Sequence, residues 1–387
     1  MNLNDYFDPV NFDFEVDQTN SIYKEYLFAT TTVHTSKYKI KNIEGNQLAI
    51  IGVLDRNEDK KESSVEGLNQ IRKYLYKLSS FSKPVKIYDL GNLKSGNTFN
   101  DQIYALRDVY IELLTLNILP IVIGSAEEII YSNYLAYQQL DKAINLVSID
   151  SRINISEDRE KEYKSALWKI LVENNSSVLF FTNIGHQSHF IHPKVAKFIN
   201  DQLHFSYRLG YIRSKIKEVE PIFRDADLIG LNISSVRQSD AFGQQNPSPN
   251  GYYGEEICQL ARYAGLSPKL TSFGIYDYNS DYDINFQTAH LIAQIIWYFI
   301  DGTIHKIKEY PFEEDSGYKK FIVNISNYND ELIFYKSEKT ERWWVEVPCS
   351  MSDGPKKILI SCTYDDYLEA GNGDVPERWL KAFQKMN

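Results

Sequence analysis

Residues 145–154 read NLVSIDSRIN, and this segment decides the fold class. Its first part, residues 146–149, is a short apolar run, which indicates a strand buried on both faces of a parallel sheet. The run ends at Asp150, and parallel α/β sheets place their functional polar residues just after the carboxyl ends of strands. Arg152 and Asn154 follow within four positions. A carboxylate, a cation and an amide in this order predict a polar cluster at the edge of a sheet.

Strand-like and helix-like segments alternate around this segment, from about residue 47 to residue 302. Such alternation is typical of a parallel sheet covered by helices on both faces. Apolar residues recur at helical spacing in residues 64–78, and another helix is predicted to end with Gly302 as its C-cap. We therefore predict a three-layer α/β/α sandwich with a mainly parallel sheet over residues 46–310. The strand candidates are residues 48–54, 85–90, 119–124, 145–150, 177–181, 227–233 and 270–276.

The two ends of the chain differ from this central region in their sequence pattern. Residues 1–45 are polar and aromatic without a clear period, which predicts an extension that lies across the core. Residues 311–387 contain four strand-like runs, FIVNIS, ELIFYK, RWWVEV and KILISC, followed by a helix, VPERWLKAF. This order indicates an antiparallel meander. We predict that residues 311–387 form a β-rich C-terminal appendage.

Composition and charge exclude several classes of function. The 387 residues include 42 basic and 52 acidic side chains, for a net charge of −10, and no window concentrates Lys and Arg. Nucleic acid is therefore not expected as a partner. The three cysteines, Cys258, Cys349 and Cys362, are widely spaced and odd in number, so the sequence predicts neither a disulfide framework nor a thiolate metal cluster.

The sequence also bears on location. The first residues are acidic and lack the basic and apolar regions of a signal peptide, and no later run of about 18 apolar residues could span a bilayer. We predict a cytoplasmic protein that does not contact a membrane.

Four of the predicted strands end in polar residues that would meet in one crevice. Glu127 follows the third strand, Asp150 the fourth, Asn232 and Ser234 the sixth, and Asp277 the seventh. Because parallel strands end at the same edge of their sheet, we expect these side chains to lie close together.

The order and spacing of these strand ends resemble the ureohydrolase family, which includes arginase, agmatinase and formimidoylglutamase. The resemblance covers about residues 48–302 and is strongest with the formimidoylglutamase branch. The segments that carry it are EGLNQIR at 66–72, DLGN at 89–92, PIVIG at 120–124, RDAD at 224–227 and NGYYGEE at 250–256.

The resemblance implies an arginase-like fold and a pair of manganese ions, held by histidine and aspartate, that produce a hydroxide for attack on a guanidinium or formimino carbon. Here, the family's first histidine ligand corresponds to Glu127. Its Asp-Ala-His-x-Asp element corresponds to Asp150, Ser151, Arg152 and Asn154, and its Asp-x-Asp element to Asn232 and Ser234. Asp150 alone keeps the family's ligand type, and a late acidic residue corresponds to Asp277.

These replacements lead to a functional hypothesis. Arginine stays protonated in proteins, so Arg152 cannot bind a metal and would repel one; it could instead neutralise Asp150, Glu127 or Asp277. We therefore predict a catalytically inactive, metal-free ureohydrolase homologue without a cofactor. Its expected role is to bind a protein partner or a small ligand, and it could form a homo-oligomer. The alternative is a metal-dependent hydrolase of linear amidines, with manganese held by unconventional ligands such as Glu127, Asp150, Asn154 and Asn232.

Simpler interpretations stay open for each residue. Asp150 and Glu127 could cap the helices that follow their strands, and Arg152 could point to solvent. The triplet His186, His189 and His192 could form a relocated metal site, although loop histidines are more commonly solvated. The pair Trp343–Trp344 is more typical of a half-buried hairpin than of a ligand platform.

Overall fold

The computed structural model describes most of the chain. The described residues are 2–11, 24–41, 43–45, 47–55, 57–158, 163–173, 177–311, 317–325, 330–351 and 354–387. Residues 12–23 and 42 of the predicted N-terminal extension lie outside them. So do residues 312–316, 326–329 and 352–353 of the predicted appendage.

A mostly parallel sheet of ten strands forms the centre of the molecule. The predicted α/β/α sandwich is confirmed, because helices cover both faces of this sheet. Its strands run β1-β4-β3-β5-β12-β11-β6-β9-β10 across the sheet, with β2 also paired to β4. The chain's first twelve strands are β1 Phe7–Asp8, β2 Thr31–Val33, β3 Leu48–Val53, β4 Ile87–Leu93, β5 Leu119–Gly124, β6 Ile144–Ile149, β7 Glu157–Asp158, β8 Tyr163–Lys164, β9 Val178–His186, β10 Phe205–Arg208, β11 Leu228–Asn232 and β12 Ser272–Tyr276.

The strands β7 and β8 form a separate two-stranded ribbon. Every residue of β3, β4, β5, β11 and β12 is buried, which explains why these strands do not alternate between apolar and polar residues. The helices are α1 Lys61–Tyr76, α2 Phe99–Thr115, α3 Ile130–Gln139, α4 Ala166–Trp168, α5 Pro193–Asp201, α6 Leu209–Ser214, α7 Val219–Arg224, α8 Gly254–Gly265, α9 Gln287–His305, α10 Tyr364–Gly371 and α11 Glu377–Met386.

Two hydrophobic clusters lie on opposite faces of the sheet. Helices α1, α8 and α9 pack together over one face, where Ile71, Leu260 and Ile296 are fully buried. Helices α2 and α3 pack over the other, where Leu106 and Tyr134 are fully buried. Burial of large side chains on both faces supplies the main stabilisation of such a sandwich.

The prediction that Gly302 caps its helix is wrong. Helix α9 continues for three residues beyond it, to His305. A methyl group on Gly302 would collide with the backbone oxygen of Arg262 in α8, and one on Gly265 would collide with the backbone of Phe299 in α9. The two glycines therefore serve the close approach of α8 and α9, and the sequence alone does not distinguish this role from a cap.

A buried ion-pair network joins α1 to β4 and accounts for two of the sequence motifs. The guanidinium of Arg72 donates through Nε to Asp89 Oδ2 at 2.8 Å and through Nη1 to Asn92 Oδ1 at 2.8 Å. The hydroxyl of Tyr76 donates to Asp89 Oδ2 at 2.6 Å, and the backbone amide of Gly91 to Asp89 Oδ1 at 3.0 Å. The motifs EGLNQIR and DLGN thus fix a helix to the sheet and lie outside the crevice.

The C-terminal appendage is confirmed as a separate antiparallel sheet. Its strands are β13 Tyr318–Ile325, β14 Asp330–Ser337, β15 Trp343–Met351 and β16 Gly354–Cys362, in that spatial order. Trp343 and Trp344 lie in strand β15, next to β14, and both are buried rather than half-buried as predicted. The limits 1–45, 46–310 and 311–387 for the three regions stay predictions.

The appendage is anchored through the last residues of α7. Asp225 accepts hydrogen bonds from the backbone amide and the hydroxyl of Ser361, both at 2.7 Å. Arg224 donates from Nη2 to the carbonyl of Trp343 at 3.1 Å, and its guanidinium lies 4.4 Å from the ring centroid of Trp344. Both anchoring residues belong to the RDAD motif, which therefore has a structural role.

Two sequence predictions about cysteines and membranes can be compared with the structure. Cys258, Cys349 and Cys362 are free and buried. Among the described residues, no helix combines the length and apolar character needed to cross a bilayer. A cytoplasmic location stays a prediction.

Candidate functional site

The predicted crevice lies at the carboxyl ends of four adjacent parallel strands. β5, β12, β11 and β6 are neighbours in this order, and each pair is parallel. Glu127 follows β5, Asp277 follows β12, Asn232 ends β11 and Asp150 follows β6. The topology therefore brings the predicted residues together at one edge of the sheet.

Asp150 is buried at 6% exposure, and the turn that follows its strand holds it in place. Its Oδ1 accepts the backbone amide of Arg152 at 2.9 Å, and its Oδ2 accepts Nδ2 of Asn232 at 3.1 Å. Asn183 of β9 supports the same turn by donating to the carbonyl of Arg152 at 3.2 Å. Asp150 therefore stabilises a local turn, as short acidic residues commonly do, and also faces the crevice.

Glu127 shares the amide groups that surround Asp150. Its Oε1 accepts Nδ2 of Asn154 at 2.6 Å, and its Oε2 accepts Nδ2 of Asn232 at 3.5 Å. Asn232 thus bridges Glu127 and Asp150 with a single amide group. Its own Oδ1 accepts the backbone amide and the hydroxyl of Ser234, at 3.0 and 2.9 Å. Glu127 makes no capping hydrogen bond to the helical turn that begins with it.

Asp277 differs from the other two carboxylates in its backbone. It has a φ of 65°, in the left-handed region that side-chain-bearing residues seldom adopt. It is 8% exposed, and its Oδ2 has no hydrogen-bond partner among the described residues. Strained residues persist where the surrounding structure holds them, and they are common at functional sites.

Burial raises the pKa of all three carboxyl groups. The pKa of Glu127 is raised to about 8, first by desolvation and then by the charge of Asp150. The pKa of Asp150 is raised to about 7 by desolvation, with Asp277 adding to the effect. Desolvation and then Glu127 raise the pKa of Asp277 to about 7. Each group can therefore exchange a proton near neutral pH, which general acid–base catalysis requires.

Arg152 does not form the ion pair that we predicted. Its guanidinium makes no salt bridge with Asp150, Glu127 or Asp277; it stacks on Phe190, with the central carbon 3.9 Å from the ring centroid. Its Nε is buried and has no hydrogen-bond partner among the described residues. The guanidinium of Arg152 therefore acts on the carboxylates only through its charge, which lowers the pKa of Asp150 and Asp277.

The histidine triplet does not form a metal site in the structure. His192 accepts the backbone amide of Lys194 and caps α5, and His189 packs against Phe190 with ring centroids 4.3 Å apart. His186 ends β9 and is buried, and burial lowers its pKa.

Two contributors to the crevice were missed from the sequence. Asn246, in the loop between β11 and α8, hydrogen-bonds the side chain of Asp277 and lowers its pKa. Gln187, after β9, donates its backbone amide to the carbonyl of Ser151 at 2.9 Å and its side-chain Nε2 to the carbonyl of Asn250 at 2.9 Å. The contacts of such single polar residues depend on loop geometry that no local sequence pattern specifies.

Comparison with known proteins adds evolutionary evidence. No family model matches the chain. Among curated proteins, the formimidoylglutamase of Staphylococcus haemolyticus is 23% identical over 246 residues, which cover 61% of this chain and 79% of the relative. That of Staphylococcus aureus is 25% identical over 221 residues, covering 53% and 70%. The comparisons support assignment to the ureohydrolase family.

Solved structures of ureohydrolases share the fold. The Bacillus subtilis formimidoylglutamase matches with a TM-score of 0.63 at 17% identity, covering 77% of this chain and 95% of its own. The Trypanosoma cruzi formiminoglutamase with Mn²⁺ has a TM-score of 0.60 at 17% identity, covering 67% and 94%. The agmatine ureohydrolase of Thermoplasma volcanium has a TM-score of 0.55 at 17% identity, covering 72% and 94%. These matches confirm the predicted arginase-like fold.

The same comparison contradicts our prediction that no cofactor is involved. The structure of the T. cruzi ureohydrolase contains Mn²⁺, so the neighbours of this chain point to manganese. Manganese, which was the alternative prediction, therefore replaces the prediction of a protein without a cofactor.

The residues of the crevice fit such an ion in part. Glu127, Asp150 and Asp277 offer carboxylate oxygens, which suit Mn²⁺, and the unpaired Oδ2 of Asp277 is a free acceptor. They do not fit the two-ion site with histidines, because Glu127 and Arg152 stand at the histidine positions. Among the described residues, no three His, Cys, Asp or Glu side chains are gathered closely enough to bind one ion. The donor chemistry thus suits an oxygen-bound ion, whereas the described side chains do not form a three-ligand site.

Proposed function

We propose that this chain is a metal-dependent hydrolase of linear amidines, of the formimidoylglutamase type, with unconventional oxygen ligands. The observation that carries the proposal is the set of three carboxylates at the carboxyl ends of β5, β12 and β6: Asp150 and Asp277 are buried, and Glu127 is half-buried. Each has a pKa raised to between about 7 and 8. Buried carboxylates without a paired cation favour a positively charged occupant.

Carboxylate oxygens of this set would hold a single divalent ion, which would supply a water of lowered pKa and polarise the substrate. The chain's own residues have two further tasks. An amidinium is a planar cation, and a carboxylate can accept two parallel N–H bonds from it. A carboxylate oxygen that does not bind the ion could also take up the proton released by the attacking water and return it to the departing nitrogen.

The amide groups of Asn154 and Asn232 limit where an ion could enter. Asn232 Nδ2 lies between Glu127 and Asp150, at 3.5 and 3.1 Å, and directs hydrogens at both. Rotating the side-chain amide of Asn232 by half a turn would present Oδ1 to the ion instead. That rotation would break the hydrogen bonds that Ser234 donates to Oδ1. The hydrogen bonds around Asn232 thus make Glu127, Asp150 and Asp277 stronger candidate ligands than the two asparagines.

A second function is favoured by a specific observation. The histidine ligands are replaced, and Asn154 and Asn232 occupy acceptor positions on the carboxylates. These features suit a catalytically inactive homologue that binds a ligand or a protein partner. The two proposals differ in whether the protein hydrolyses a substrate.

The test is an assay of the full chain, stripped with EDTA and reloaded with Mn²⁺. N-formimino-L-glutamate, agmatine and L-arginine are offered as substrates, and formamide or urea release is measured. We expect Mn²⁺-dependent release of product that is lost in Asp150→Asn and Glu127→Gln. Asp108→Asn serves as a matched control, because Asp108 is a surface carboxylate of α2 paired with Arg107 at 2.7 Å. Absence of turnover on all three substrates would refute the hydrolase and favour the binding role.

A further inference from the structure

A second cavity, of about 660 Å³, opens beside the carboxylate crevice. Its wall contains three arginines, Arg208 at the end of β10, Arg213 in α6 and Arg237 in the loop after β11. Gln187 lines this cavity and donates its backbone amide to the carbonyl of Ser151, the residue after Asp150, at 2.9 Å. We refer to this cavity as the arginine pocket.

Two of the arginines are held in place by one aromatic ring. The guanidinium carbons of Arg213 and Arg237 each lie 4.1 Å from the ring centroid of Tyr253. Two guanidiniums cannot share one face at that distance, so they occupy opposite faces of the ring. Stacking of this kind restricts the side chains and leaves their in-plane N–H groups available as donors.

Each stacked arginine is also fixed by an acid through its Nε. Arg213 Nε lies 2.9 Å from Glu256 Oε1, and Arg237 Nε lies 2.8 Å from Asp240 Oδ1. Both acids are themselves held at the start of α8. Glu256 accepts the backbone amide of Tyr253 at 2.9 Å, and Asp240 accepts that of Gly254 at 2.9 Å. The arginines are therefore pre-positioned before any ligand arrives, which lowers the entropy cost of binding.

The charge of the pocket remains positive. Glu256 and Asp240 offset two of the three guanidiniums, and Arg208 has no salt bridge among the described residues. Like charges around one cavity repel each other, and the repulsion is relieved when an anion enters. The buried Nδ1 of His186 and Oε1 of Gln187, in the same wall, also have no hydrogen-bond partner among the described residues.

We propose that the arginine pocket is a binding site for a small organic oxyanion, one that carries a phosphate or two carboxylates. The guanidinium fork matches the geometry of both groups and binds them through paired N–H bonds. The volume of about 660 Å³ exceeds that of a single inorganic ion and lies in the range of small-molecule sites. The pocket is independent of the proposed hydrolysis, because neither its charge nor its shape requires a metal in the crevice.

The test measures binding to the full chain by isothermal titration calorimetry in EDTA. Inorganic phosphate and glutarate are the probes, and chloride at equal ionic strength is the blank. We expect saturable binding of at least one probe, with a Kd of about 1 mM or tighter. Phosphate alone would identify a phosphate site, and glutarate alone a dicarboxylate site. Binding should weaken at least ~10-fold in Arg208→Ala and in Arg237→Ala, a loss of ~1.4 kcal/mol.

Arg107→Ala is the matched control, because Arg107 also stacks on a tyrosine, Tyr104 at 5.0 Å, and pairs with an acid, Asp108. It lies on α2, away from the pocket, so binding should be unchanged. Arg237→Lys keeps the charge but removes the fork, and it should bind more weakly than the parent. The proposal is overturned if neither probe shows saturable binding, or if Arg208→Ala and Arg237→Ala bind as tightly as the control. Asp150→Asn, which tests the hydrolase, should leave this binding intact.

Discussion

Replacing Glu127 with glutamine is expected to stabilise the metal-stripped protein at alkaline pH. Glutamine has nearly the shape of protonated glutamate, so it keeps the acceptor for Asn154 while removing a charge. The pKa of Glu127 is raised from 4.5 to about 8. The folded state therefore holds the proton more tightly than the unfolded state. Stability is highest below the unfolded pKa and is lost as the pH rises through the folded pKa.

The magnitude follows from the shift in pKa. One pKa unit corresponds to ~1.4 kcal/mol, so an isolated Glu127 would cost roughly 3 kcal/mol at pH 7 and up to ~5 kcal/mol well above pH 8. Asp150 carries part of this penalty, because the two groups repel each other. We expect Glu127→Gln to raise the free energy of unfolding by ~2 kcal/mol at about pH 8 and by almost nothing at about pH 4.

The assay is urea denaturation in EDTA, followed by circular dichroism at several pH values. The parent should lose stability between about pH 5 and pH 8 relative to the variant. Asp108→Asn, on the surface, should show no such pH-dependent gain. If Glu127→Gln is no more stable than the parent at alkaline pH, the carboxylates are not desolvated as described.

Three further substitutions test other parts of the structure, each by urea denaturation of the purified variant. Arg72→Ala should lose roughly 3–5 kcal/mol, because it leaves Asp89 charged and unpaired in the core, and a loss below ~1 kcal/mol would contradict this. Arg152→Ala should lose only ~1 kcal/mol, since the structure replaces the predicted ion pair with stacking on Phe190; a loss of several kcal/mol would restore the counter-ion hypothesis. Asp277→Gly should gain ~1 kcal/mol or more by relieving the left-handed backbone and a buried charge, and a destabilised variant would show that no strain is present.

The fold was largely predictable because its strands are buried on both faces. β3, β5, β11 and β12 appear in the sequence as continuous apolar runs bounded by polar residues, so the pattern reports them directly. The short strands β1, β2 and β10 were not predicted. β1 and β2 lie beside β4 near one edge of the sheet, where few apolar residues are required, and two or three residues give no period to detect.

The site was predictable in its location but not in its contacts. Parallel strands bring Glu127, Asp150, Asn232 and Asp277 to one edge whatever their side chains do, so topology alone was sufficient. The direction taken by Arg152 depended on Phe190, which comes from the loop after a different strand. The arginine pocket was missed for the same reason. Its three arginines are separated in sequence and mixed with acids, so no charge cluster is visible before the chain folds.

The anchoring of the appendage through Arg224 and Asp225 has a consequence for how the molecule could be shortened. These residues end α7, and β11 begins three residues after Asp225 and runs to Asn232 at the crevice. A chain cut near residue 311 would leave a guanidinium without the Trp344 ring and a carboxylate without Ser361, immediately ahead of that strand. The arginase-like region and its C-terminal sheet therefore depend on each other structurally. Removing the sheet would disturb the residues that directly precede the strand at the centre of the site.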